Sequence, residues 1–204
     1  MLHALNRLWT RRPPVAAADT FRAWLSRRAA YAAQKCVLGY CEVKAGTNKE
    51  ILFKEAAFRA ALDTCRWEGF AAVLDDLVIL SWRRLAPHAA GREPALADAL
   101  AAVHRAVLEE EPLPPHRPQG WDDAVAVFTA RFAEERTMPP RPPAEVARRA
   151  AKRIMDRLPI HENHRRSDGE AIVGAVQFHV VAAWDAMLQE VDAEAVAADL
   201  LRDG

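Results

Sequence analysis

The chain is short of the residues on which most familiar chemistry depends: three cysteines, two tyrosines, three serines and eight glycines in 204 residues. An odd number of cysteines makes no disulfide framework and fits a reducing, cytoplasmic setting. Scarce glycine and tyrosine, set against 42 alanines, argue against strands and for an all-α chain. The serines, Ser26, Ser81 and Ser167, do not stand in a G-x-S-x-G elbow, and neither a Walker loop nor a dinucleotide-binding glycine fingerprint occurs. Hydrolase, kinase and dehydrogenase chemistry of the usual kinds is disfavoured; no catalytic residue is assigned, and no cofactor or metal is expected.

A long apolar run is missing too. The uncharged stretch from Ala171 to Trp184 spans 14 residues and contains Gln177 and His179, too short and too polar for a bilayer span. Arg11 and Arg12 follow the N-terminal apolar stretch instead of preceding it, which argues against a secretory signal.

Net charge is absent as well, with 28 Lys+Arg against 28 Asp+Glu, and this removes the whole-chain electrostatic argument for nucleic acid as a partner. The balance hides blocks. Residues 1–44 carry 8 basic and 2 acidic side chains, 45–135 carry 10 and 15, 136–166 carry 9 and 3, and 167–204 carry 1 and 8. Blocks of this kind neutralise one another across helix contacts or form separate surface fields.

What is abundant is alanine, so helices must approach closely around a core of few bulky residues. Thirteen prolines segment the chain, and no repeat is visible. Periodicity predicts a helix from about Asp19 to Lys44 with Gly46 as its C′ residue, then a T-x-x-E capping box at Thr47–Glu50 opening a second helix to Leu85, the pair forming an αα-hairpin. The apolar stripe of the second helix changes side after Gly69, which predicts a break or kink near Trp67–Gly69. Further helices are expected from Pro94, over Trp121–Arg136 and Ala144–Leu158, from a second capping box at Ser167–Glu170 to about Glu190, and over Ala193–Leu201. The Pro-rich runs at 112–118 and 139–143 read as semi-rigid connectors. The chain is thus read as an all-α, single-domain helical bundle of about six to eight helices over residues 19–204, preceded by a flexible or interfacial segment at 1–18.

Four groups of residues invite a functional reading. The N-terminal segment aligns Leu2, Leu5, Leu8 and Trp9 beside Arg7, Arg11 and Arg12, a short amphipathic pattern suited to an anionic membrane surface or to a strap packed on the bundle. His161, His164, Arg165 and Arg166 precede a helix start and suit an anionic ligand better than a metal, because H-E-x-x-H is absent; otherwise they form a solvated loop. The helix at 144–158 segregates Arg148, Arg149, Lys152, Arg153 and Arg157 from Val146, Ala147, Ala150, Ala151, Ile154, Met155 and Leu158, the sharpest amphipathic face in the chain. His179 and the cysteines are expected in the core; on one helix Cys36 and Cys41 would lie about 140° apart, unsuited to sharing an ion. Glu42, Arg66, Glu68, Asp75 and Asp76 are expected in salt bridges at helix interfaces. Together these features point to a non-enzymatic cytoplasmic interaction or assembly factor working through the basic helix on a protein partner, with peripheral membrane contact as an addition. The alternative is a small-ligand protein or atypical helical enzyme that uses the 161–166 cluster on an anionic group.

Overall fold

A computed structural model describes residues 13–202 and is all-α, with a single isolated bridge and no strands among those residues. In chain order the helices are α1 (Ala18–Ala45), α2 (Lys49–Leu52), α3 (Ala56–Leu85), α4 (Glu93–Glu110), α5 (Asp122–Thr137), α6 (Pro143–Val146), α7 (Arg148–Arg157), α8 (Glu162–Ser167), α9 (Gly169–Glu190) and α10 (Ala193–Leu200). Leaving aside the two four-residue helices, α2 and α6, this is the bundle the alanine content predicts.

The organising element is α3, whose 30 residues span about 45 Å at 1.5 Å each. It is continuous through Gly69, so the expected break is overturned. Every residue from Glu68 to Ser81 is buried, because α1, α4, α5, α7, α9 and α10 all pack against this helix. A helix surrounded on all sides has no single apolar stripe. The change of side at Gly69 marks a change of neighbours and not a kink.

Gly69 has a packing role of its own. A Cβ there would stand 3.1 Å from Ile154 Cγ1 and 3.3 Å from Cδ1, with the Ala33 Cβ at 3.6 Å. Here α7 and α1 approach α3 closely. Gly69→Ala is expected to lose about 1–3 kcal/mol, the usual cost of overpacking, which outweighs the gain in helix propensity. Chemical denaturation measures it; an unchanged or raised midpoint would show that Ile154 gives way freely.

Both expected capping boxes are absent. After Gly46, with φ of +51°, the chain makes a 3₁₀ turn over Gly46–Asn48 and the short α2, and the long helix starts only at Ala56; no side chain caps α2. At Ser167–Glu170 the N-cap of α9 is Asp168, but its carboxylate is drawn away to α1, accepting from the Tyr40 hydroxyl at 2.5 Å and pairing with Lys44. Those two donors, Lys44 foremost, hold the Asp168 carboxyl far below its ordinary range. A tertiary ion pair has outcompeted a local cap.

The N-terminal positions Leu5 and Trp9 lie outside the described residues. Of the segment read as flexible or interfacial, the described part is anchored: the Val15 N–H donates to Glu190 at 2.7 Å, the Asp192 N–H donates to Val15 at 2.9 Å, and the Ala18 N–H donates to Asp199 Oδ2 at 2.8 Å. The three cysteines are buried and unpaired, and burial pushes the thiols up, to about 12 for Cys36 and Cys65 and about 11 for Cys41, so they serve as small core residues.

Candidate functional site: a basic cleft over an acidic row

Glu68 and Asp75 are seven residues apart on α3, two helical turns, and therefore project on one side of it. That side faces α7, whose Arg153 and Arg157 are one turn apart. Arg153 reaches Glu68 at 3.0 Å and Asp75 at 3.7 Å, and Arg157 stands 3.6 Å from Glu68. From the Pro-rich connector between α4 and α5, the Arg117 Nε donates to Glu68 at 2.5 Å, while His116 lies 3.2 Å from the same oxygen. The Arg117 guanidinium also stacks over the buried Trp121 ring at 4.3 Å and pairs with Asp123 at 2.7 Å. Burial alone would raise the Glu68 carboxyl; Arg117 and Arg153 outweigh it and hold the group at about 2.

Asp75 and Asp76 are buried beside this hub. Asp75 Oδ1 accepts from His104 Nε2 at 2.8 Å; His104 is sealed in the core, stacked on Phe128 at 3.7 Å, and its Nδ1 has no partner. Asp76 is wholly buried and faces Arg131 of α5 across 2.7 Å, at an angle that leaves neither carboxylate oxygen in a well-directed hydrogen bond. Burial pushes its carboxyl up to about 7 despite Arg131. Glu135, one turn beyond Arg131, takes Arg83 at 3.1 Å and also Arg141. Glu68, Asp75 and Asp76 thus make the expected salt bridges between helices, in two groups: one on Glu68 and Asp75, the other on Asp76, Arg131 and Glu135. Glu42 pairs with Lys49 at 2.8 Å, while Arg66, among the described residues, pairs only within its own helix, with Asp63 at 3.1 Å.

Beside these groups lies a cleft of about 370 Å³ lined by Asp75 from α3, by Asp123, Val127 and Arg131 from α5, and by Arg149, Lys152, Arg153, Asp156 and Arg157 from α7. An adjoining hollow of about 620 Å³ shares Asp123 and Arg157 and extends to His116 and Gly120. Chemically the arrangement offers guanidinium forks held by buried carboxylates. His104 cannot reach a substrate from its sealed position, and Ser81 donates back to the Leu77 carbonyl at 2.7 Å, so neither is placed as acid, base or nucleophile.

Of the five predicted cations, Arg153 and Arg157 turn inward to Glu68, and Lys152 pairs with Asp156 at 2.7 Å. Arg148 and Arg149 are exposed and meet no carboxylate among the described residues. The 161–166 cluster does not converge. His161 caps α8 by accepting from the Asn163 N–H at 3.2 Å, His164 is exposed, and Arg166 pairs with Glu162 at 2.7 Å. Arg165 and Arg166, without the histidines, line a cleft of about 760 Å³ with Met155 and Val173. No group of residues able to hold a metal ion occurs among the described residues.

Sequence reasoning missed Arg117, His116, Asp123 and Arg131. The signal for Arg131 was its place one turn before Glu135 on a helix whose other inward residues are apolar; His116 and Arg117 were hidden in a run read as a connector. His179 was expected in the core and is instead half-buried at the surface, edge-on to Tyr31 at 5.9 Å and to Phe178 at 5.3 Å. Burial, then Lys35, lowers its pKa. No known protein family matches the chain, and no curated protein or solved structure is similar to it.

Proposed function

We propose that the chain is a non-enzymatic cytoplasmic interaction or assembly factor that takes an acidic segment of a protein partner in the α5–α7 cleft. The observation that carries this reading is Arg149: exposed in the cleft lining, it meets no carboxylate among the described residues, while Arg153 and Arg157 of the same lining are paired with Glu68 and Asp75. A planar fork at a preorganised site suits a carboxylate, which it can bind bidentately. Val127, exposed on α5, adds an apolar contact beside the charges. The zero net charge keeps this attraction local, which suits a short acidic stretch better than a polyanion.

Anisotropy of a labelled oligo-glutamate peptide tests the proposal. The full chain is expected to bind in a salt-sensitive way, and Arg149→Glu to weaken binding at least about tenfold, since a charge-assisted pair contributes about 1.5–3 kcal/mol. Equal binding by Arg149→Glu would sink the proposal. So would loss of binding in Arg166→Ala with Arg149→Glu unaffected, which would move the acidic group to the α8–α9 cleft.

A further inference from the structure

Helix α9 is the one described helix with the length and apolarity of a bilayer span, yet only one stripe of it enters the core: Ile172, Val176, Val180, Ala183 and Met187. At 100° per residue the far side holds Ala171, Gly174, Ala175, Phe178 and Ala182, all exposed and uncharged over about 17 Å, and the exposed Asp185, two turns beyond Phe178, closes this apolar stretch at its C-terminal end. Between Ala171 and Ala182 this side lacks the polar residues that an amphipathic surface helix would place there. Phe178 stands out with 67% of its surface exposed.

The flank of this stripe supplies a second, independent observation. On α1, packed beside α9, Arg27, Tyr31 and Lys35 form a row at i, i+4 and i+8. Tyr31 is 55% exposed and continuous with Phe178 through the His179 ring, which touches both. Lys35 lies over the Tyr31 ring at 5.7 Å, and neither it nor Arg27 meets a carboxylate among the described residues. Elsewhere along this seam the cations are neutralised: Arg28 by Glu190 at 2.6 Å and Lys44 by Asp168.

We infer that the α1–α9 face docks on an anionic phospholipid surface, with Phe178 and the alanine stripe entering the acyl boundary, Tyr31 at headgroup depth, and Lys35 and Arg27 on the phosphates. The chemistry matches point by point: an apolar ridge, a tyrosine with one dry and one wet end, and unpaired cations beside it. A second copy of the chain fits less well, because a two-fold contact would bring the same unpaired cations to its own rim. This surface is separate from the α5–α7 cleft, so the inference does not depend on the proposed function.

Co-flotation with vesicles tests it. The full chain is expected to float with phosphatidylcholine–phosphatidylserine vesicles and far less with phosphatidylcholine alone. Phe178→Glu is expected to lower the bound fraction about tenfold or more, since it removes the largest inserted side chain. Lys35→Glu is expected to weaken binding and flatten its salt dependence. Both positions are exposed, and unchanged circular dichroism and melting keep the comparison clean. The inference is overturned if Phe178→Glu floats as the unaltered chain does, or if the unaltered chain does not float. Loss of flotation in Trp9→Glu or Arg149→Glu, with Phe178→Glu unaffected, overturns it equally by placing the lipid contact elsewhere. Concentration-dependent dimerisation abolished by Phe178→Glu, without vesicle binding, overturns it in favour of a second copy.

Discussion

Glu68→Ala is expected to lower the stability of the chain by about 3–5 kcal/mol, the range observed when one partner is removed from a buried ionic group. Glu68 is 3% exposed and is the common acceptor for Arg117, Arg153 and His116, with Arg157 close by. Removing it leaves two guanidiniums, Arg117 and Arg153, confined and facing like charge, while Arg157, 43% exposed, relaxes into solvent and adds little. The melting temperature should fall by roughly 6–20 °C at about 2–4 °C per kcal/mol for a chain of this size. Glu68→Gln, which keeps the volume and an acceptor, should recover part of the loss and separate charge from packing. The pH dependence has a definite sign. The folded carboxyl is held at about 2 against an ordinary 4.5. The stability it contributes is therefore full above about pH 4.5 and is lost as pH falls toward 2, so the mutant and the parent should converge in acid. A loss below about 1 kcal/mol at neutral pH would mean that solvent screens the hub and that the three arginines need no common anchor.

This hub also shows where the sequence was readable and where it was not. Helix positions followed from alanine content, apolar spacing and proline: the α4 face of Leu96, Leu100, Val103 and Val107 and the α5 face of Trp121, Val125, Phe128 and Phe132 are buried as their periodicity requires. Those are local properties, fixed within a few turns. The path of α3 was not local. Its stripe changed side because different helices surround its two halves, and a pattern rule that assumes one dry face reads this as a break. The same limit applied at the start of α9, where a capping box with Ser167 as N-cap was legible but the N-cap is Asp168, and the lysine and tyrosine that engage its carboxylate lie on α1, more than a hundred residues earlier. For the candidate site, the cations of α7 were visible as a block, but their division into inward and outward members was not. That division depends on where Glu68 falls on α3 relative to α7, and on a proline-rich connector delivering Arg117 to the same carboxylate.

The second large effect is expected at Arg131, and it should depend on pH in the opposite sense to Glu68. Asp76 is fully buried, and burial pushes its carboxyl up to about 7, with Asp75 and Glu135 adding to the rise and Arg131 opposing it. A raised carboxyl binds its proton more tightly in the folded chain than in the unfolded one. Its contribution to stability is therefore intact below the ordinary value of about 4, declines as pH rises, and reaches its full penalty above about 7. Arg131→Met keeps an unbranched apolar stem but removes the guanidinium and its opposing charge, so Asp76 must either bury an uncompensated anion or hold its proton to still higher pH. The expected loss is about 3–5 kcal/mol at pH near 8 and much less near pH 5, measured by denaturant titration at both values. Glu135 retains Arg83 and Arg141 and limits the damage on its side of the network. Asp76→Asn in the Arg131→Met background should restore most of the stability at the higher pH, because it removes the stranded charge. A double-mutant cycle that instead finds the two substitutions additive would show that Asp76 and Arg131 do not compensate each other, and that the poorly directed 2.7 Å contact is a juxtaposition imposed by helix packing.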